Sequence, residues 1–195
     1  MQLEPIPRRK LLKIGALSAV ALGSATAFMM GGRGASELAL AEYPQLLVLS
    51  KDNAQTLLAM VQVVLPRSQV ANVTLHHQVL SRIDEESFFI DSKIQQDFCL
   101  ALDVLEYLPV VFGKFSRFSH LSLVEREAFL SAMHGTRIDT LRAVVNNCRL
   151  LPLYVYYGLE ASWASIGYDG AFSRIKPLVS EQRQYYAEQV KSKSV

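Results

Sequence analysis

The chain has 195 residues, a formal net charge of +2, 50% hydrophobic residues and two cysteines. That hydrophobic content excludes disorder for most of its length, and two cysteines cannot by themselves hold an iron–sulfur cluster. Beyond residue 27 the Lys and Arg residues are scattered rather than clustered, which excludes a nucleic-acid binding face.

The first element is an N-terminal leader. Arg8 and Arg9 stand side by side, Lys10-Leu11-Leu12-Lys13 follows, and residues 14–30 carry no charge. Paired arginines before a weakly hydrophobic run containing Gly15 and Gly23 predict a twin-arginine export-signal helix over 1–27. Ala27, closing Ala25-Thr26-Ala27, and Ala41, closing Ala39-Leu40-Ala41, are the cleavage candidates. A plain membrane anchor or a general secretory signal is the alternative, since 17 uncharged residues lie at the short edge of a bilayer span of roughly 17–25 residues. Without residues 1–27 the chain loses four basic side chains and Glu4, a net +3, so +2 becomes −1 for the remaining 168 residues. One domain of that size can bury a core.

Residues 28–49 read as a linker, with 31–36 a Gly-rich tether. An all-α single helical bundle is expected over 50–180, followed by a polar C-terminal helix or tail over 181–195. Ser50 caps a helix that runs to Leu65 before Pro66, with Leu57, Leu58, Val61 and Leu65 on one face. A shorter helix spans about Thr74 to Ile83, Asp84-Glu85-Glu86 reads as a solvated turn, and Phe88-Phe89-Ile90 as a short extended piece. From Asp91, the 3/4 spacing of Ile94, Phe98, Ala101, Leu102, Leu105 and Leu108 predicts a helix stopping near Pro109. Ser122-Leu123-Val124-Glu125 has the form of a capping box and opens a helix to about Met133. The longest helix is expected from Thr136 to Tyr157, with Ile138, Leu141, Val145, Cys148 and Val155 inside and a kink or break at Pro152.

Motifs for chemistry are few. The sequence carries no glycine-rich dinucleotide loop, phosphate loop, nucleophile elbow, zinc-type cysteine pair or C-x-x-C-H haem-attachment motif. His76 and His77 are adjacent, and neighbours on a helix point about 100° apart, which suits a structural role better than shared metal ligation. His120 and His134 fall near helix ends, where they can meet terminal carbonyls. Cys99 and Cys148 leave three readings open: a disulfide formed in an oxidising compartment, two buried thiols, or a bond to a partner chain.

Aromatic residues and glycines concentrate late, in Tyr154-Val155-Tyr156-Tyr157-Gly158 and in Trp163-Ala164-Ser165-Ile166-Gly167-Tyr168-Asp169-Gly170. A helix stopped by Gly158, one short helical turn and a Gly-x-x-Gly turn would present Trp163 and Tyr168. Tyr156, Tyr157, Trp163 and Tyr168 are thus the candidate partner interface, the other reading being that the rings plug the end of the bundle.

The twin-arginine leader, the helical domain, the segment Leu57-x-x-Met60-Val61-x-Val63-Val64-Leu65-Pro66 and the late Tyr156-Tyr157-Gly158 … Trp163 … Ile166-Gly167-Tyr168-Asp169-Gly170 together resemble the small subunit, subunit 3, of gluconate 2-dehydrogenase. The same group includes gamma subunits of membrane-bound sugar and polyol dehydrogenases. The resemblance implies a non-catalytic chain with no cofactor of its own. FAD would sit in a large flavoprotein dehydrogenase subunit and haem c in a cytochrome c subunit. The small chain would escort the folded flavoprotein through the twin-arginine translocase to the periplasm, at the outer face of the inner membrane. Two rivals are a self-contained periplasmic enzyme built around His76, His77 and the aromatic end, and an assembly factor anchored by an uncleaved N-terminus.

Overall fold

The computed structural model describes residues 45–170 and 179–193. The leader arginines Arg8 and Arg9, the cleavage candidates Ala27 and Ala41 and the expected signal helix lie outside the described residues. The described chain is all-α: α1 (Lys51–Val64), α2 (Val73–Phe88), α3 (Ser92–Val111), α4 (Leu123–His134), α5 (Asp139–Gly158), the single turn α6 (Glu160–Trp163) and α7 (Glu181–Lys193). Three short 3-10 turns join them: η1 (Arg67–Gln69), η2 (Phe118–His120) and η3 (Ala164–Ile166). No strand occurs among the described residues.

Helix α1 is the axis of the bundle. Ser50 caps it by accepting the Asn53 N–H at 3.1 Å, and Leu65, extended ahead of Pro66, ends it. Leu57, Met60 and Val61 are fully buried, and Ala54, Leu58 and Ala59 nearly so. A helix apolar on that many sides must be surrounded, and α2, α3, α4 and α5 all pack on it. Each fully buried large apolar side chain contributes about 1.5–3 kcal/mol.

Around it, α5 presents Leu141, Val145, Cys148, Pro152 and Tyr156 to the core. Pro152 does not break this helix, which continues to Gly158; the missing N–H leaves only the Cys148 carbonyl without its helical donor. Ile138, expected inside, precedes the first turn and is exposed. In α3 the inner stripe is Leu102, Leu105 and Leu108, while Ile94 is exposed, and Pro109 lies within the last turn rather than after it. The capping box of α4 forms as its sequence requires: Ser122 Oγ accepts the Glu125 N–H, and the Glu125 carboxylate accepts the Ser122 N–H.

Helix α2 corrects the sequence reading. It runs on through Asp84-Glu85-Glu86 to Phe88, so neither a solvated turn nor an extended Phe88-Phe89-Ile90 forms. Leu80, Ile83, Asp84 and Ser87 all lie on its inner face, so Asp84 occupies a core position. With 0% exposure, it accepts the backbone N–H groups of Leu47 at 2.7 Å, Val48 at 3.1 Å and Leu49 at 2.8 Å. The last residues of the expected 28–49 linker are therefore part of the bundle, because an unpaired buried carboxylate would be too costly to retain. The hydroxyl of Tyr186 on α7 donates to the same carboxylate at 2.6 Å, and Lys193 Nζ donates to the Leu46 carbonyl at 2.8 Å. Of the polar segment 181–195, Glu181–Lys193 is thereby a helix seated on α2, with Phe88 packed against Tyr185 and Tyr186.

Candidate functional site

Helix α5 carries a second apolar stripe opposite its core face. Leu150, Tyr154 and Tyr157 follow one another at helical spacing and are 45%, 73% and 44% exposed. Tyr156, one of the candidate interface residues, points the other way: at 1% exposure it fills the core and offers no outer surface. Its ring meets that of Tyr157 edge to face at 5.0 Å, so the buried tyrosine braces the exposed one.

The chain then turns sharply. Gly158 ends α5, Leu159 is extended, and α6 and η3 follow. Ser162 is fully buried, with its hydroxyl donating to the Leu159 carbonyl at 2.8 Å. Gly167 takes the left-handed conformation, φ 67°. This allows the Tyr168 N–H to reach the Trp163 carbonyl at 3.0 Å and the Gly167 N–H that of Ala164 at 3.4 Å. That closure is a Schellman motif, which brings the side chains of its first and last residues together. Trp163 and Tyr168 stand edge to face with ring centroids 5.1 Å apart.

Gly170, at φ 99°, passes so close to the indole that an added Cβ would lie 3.2 Å from Trp163 Cζ3. The two glycines of the Gly-x-x-Gly turn thus have separate jobs: one supplies the left-handed turn, the other lets backbone approach the ring. Trp163 is half-buried as the pedestal of the turn, while Tyr168 and Ile166 are 44% and 52% exposed.

The buried carboxylate Glu106 and the buried guanidinium of Arg126 are both held in hydrogen-bond networks. Glu106, 6% exposed, accepts from Thr56 Oγ1 at 3.0 Å, the Ser119 N–H at 3.0 Å and Ser119 Oγ at 2.6 Å, with Arg117 Nε at 3.8 Å. Arg126, 4% exposed, donates to the carbonyls of Phe118 at 3.2 Å and Ser119 at 2.7 Å and to Gln62 Oε1 at 2.7 Å. The short turn η2 is therefore held between a carboxylate and a guanidinium. Asn53 Nδ2 donates to Asp103 Oδ1 at 2.7 Å, and burial raises the carboxyl of Asp103 above its ordinary range. These groups were not singled out in the sequence, although one signal was present: Asp84 and Arg126 each fall on the apolar stripe of their helix, Arg126 with Phe129, Leu130 and Met133.

His76 is buried at 2% exposure, and burial pushes its imidazole below the ordinary histidine range, partly offset by a bond to the Gln69 backbone. With His77 it lines a cavity of about 200 Å³ whose other walls are Leu58, Gln62, Val70, Ala71 and Val73. His120 Nδ1 lies 3.0 Å from Ser119 Oγ, and His134 ends α4 on the surface. Cys99 and Cys148 are both free, so no disulfide joins them. Cys148 is buried, and burial pushes its thiol up to about 12, while burial also raises Cys99. Among the described residues, no group of three His, Cys, Asp or Glu side chains could hold a metal ion, and no helix is long and apolar enough to cross a membrane.

The fold is that of an all-α helical bundle with an aromatic turn at one end. No protein-family model, characterised protein or solved structure matches this chain.

Proposed function

We propose that the chain is the non-catalytic small subunit of a periplasmic, membrane-associated, FAD-dependent dehydrogenase complex of the gluconate, sugar or polyol type. It supplies the twin-arginine signal at Arg8 and Arg9 and escorts the folded flavoprotein subunit through the translocase. FAD resides in that partner and haem c in a cytochrome c subunit. The observation that carries this reading is the stripe of Leu150, Tyr154 and Tyr157, exposed on a helix and followed by exposed Ile166 and Tyr168 in the glycine turn.

Tyrosine rings provide large contact area at low conformational-entropy cost, and they are enriched where one protein docks on another. A turn closed by backbone hydrogen bonds loses little further freedom on docking. Escort needs such a surface, because a partner without a leader crosses only while bound to the chain that has one.

The test replaces Arg8 and Arg9 by lysine in the native host and compares flavin-dependent dye reduction in periplasm and cytoplasm. The expected result is retention of the activity in the cytoplasm. Dehydrogenase activity that still reaches the periplasm at the wild-type level defeats the escort role.

A further inference from the structure

A second exposed apolar feature lies where α3 passes into η2, and its chemistry differs from that of the tyrosine stripe. Val110, Val111 and Phe112 are 43%, 68% and 46% exposed, and Phe115 is 90% exposed. Val124, in the first turn of α4, is 73% exposed. The projection is rigid. Gly113 takes φ 80°, so that the Lys114 N–H reaches the Pro109 carbonyl at 2.9 Å and the Gly113 N–H that of Val110 at 3.0 Å.

This is again a Schellman closure, but its last residue, where an apolar side chain usually folds back on the helix, is Lys114. The inner side of the projection is fixed by Phe112, whose ring packs at 6.4 Å against Phe129 of the core.

From Val110 to Phe115 the side chains are aliphatic or phenyl, with Lys114 as the sole polar one. Binding hot spots between proteins are enriched in tyrosine, tryptophan and arginine and poor in valine, and protein interfaces are depleted in lysine; the α5 stripe, with Tyr154 and Tyr157, has the first character, and this segment has valines and a lysine. Residues 107–124 also contain Lys114 and Arg117 and no Asp or Glu. The acids that bracket them are both engaged, Glu106 by Thr56, Ser119 and Arg117 and Glu125 by the backbone and hydroxyl of Ser122, which leaves Lys114 as the cation of the tip itself. An apolar tip with a lysine at its root suits the boundary of a lipid bilayer: valine and phenylalanine enter the acyl region while the ammonium stays among anionic headgroups.

We propose that the segment 110–115 is a membrane-docking tip that inserts Val111 and Phe115 into the surface of an anionic bilayer, with Phe112 bracing it on the core and Lys114 at headgroup level. A tip of this size gives shallow, reversible binding. It does not depend on which protein partner occupies the α5 stripe, and its test is independent of export.

Trp163, the only tryptophan, lies at the aromatic end and serves as an internal reference. Full-length wild-type, Val111→Trp and Leu150→Trp chains are mixed with vesicles of phosphatidylethanolamine and phosphatidylglycerol, with and without bromine on the acyl chains. The expected result is a blue shift and bromine quenching for Val111→Trp alone. Adding Lys114→Gln to that variant should weaken its vesicle affinity about fivefold, the effect of one basic residue at a membrane surface.

The leader can bind lipid by itself, so sedimentation with vesicles does not count; the residue-specific quenching does. Equal quenching of Leu150→Trp, or no quenching of Val111→Trp, overturns the proposal. So does a blue shift of Val111→Trp that appears without lipid and grows with protein concentration, because it assigns the tip to a protein contact.

Discussion

The hydroxyl of Tyr186 donates to the carboxylate of Asp84 at 2.6 Å across 102 residues of sequence. Because Asp84 also accepts three successive backbone N–H groups from Leu47 to Leu49, one buried side chain joins the segment ahead of α1 to the last helix. The phenol of Tyr186 is shifted far above its ordinary range by burial and by the bond to Asp84.

Removing Asp84 should therefore loosen both ends of the described chain at once. Asp84→Ala leaves three N–H groups without their acceptor, the buried one of Leu49 and the half-buried ones of Leu47 and Val48, a loss of at least ~3 kcal/mol, whereas Tyr186→Phe removes one bond to a charged acceptor and costs about 1.5–3 kcal/mol. Urea unfolding gives the two magnitudes. Hydrogen exchange at Leu47, Val48 and Leu49 should accelerate strongly in Asp84→Ala and little in Tyr186→Phe; slow exchange in both would refute the shared anchor.

The clamp on η2 makes a different kind of claim. Glu106→Ala and Arg126→Ala should each destabilise by about 3–5 kcal/mol, because each leaves buried polar groups without partners. Apolar replacement of both should not restore stability, since the Ser119 N–H and the Ser119 carbonyl would remain unpaired. A Glu106→Leu, Arg126→Met double variant as stable as the wild type in denaturant titration would contradict this.

His76 sets a pH dependence. Its folded-state pKa is below the ordinary value of 6.5 because burial disfavours the charged ring. Below pH 6.5 the unfolded chain then binds more protons than the folded one, so the contribution is complete above that pH and falls away as pH decreases. Denaturant midpoints measured at pH 7.5 and 5.5 should show lower stability at the acid value. His76→Gln should shrink that difference.

Gly170 tests the aromatic turn. Gly170→Ala forces an L side chain into φ 99° and brings its Cβ to 3.2 Å from the indole of Trp163. Strain at such a position costs on the order of 1–3 kcal/mol. Relief by displacement of the ring should appear as a red shift and broadening of tryptophan emission, with helical circular dichroism preserved. An unchanged spectrum would show that the close packing of Gly170 on Trp163 does not hold the turn.

Local rules account well for several elements. Ser50 with Pro66, and Ser122 with Glu125, mark helix ends through backbone groups only a few residues away, and those ends form where expected. The Gly-x-x-Gly turn was legible for the same reason, but the orientation of its neighbours was not. Tyr156 and Tyr157 are adjacent in sequence and one faces the core, so a cluster of tyrosines does not by itself say which rings are outside. The sequence alone also left the two cysteines open, and their burial was not legible either: both are free thiols, Cys148 buried and Cys99 half-buried.

The sequence by itself determined an all-α fold, the helix caps at Ser50 and Ser122 and the aromatic glycine turn, because helical periodicity and capping act within a few residues. Only the tertiary structure decided what becomes of the charges on apolar stripes. Asp84 looks solvated until Leu47 to Leu49 and Tyr186 arrive from both ends of the described chain to satisfy it, and Arg126 looks misplaced until η2 supplies its carbonyls. A buried charge takes its identity from partners that are distant in sequence, and no local pattern specifies them.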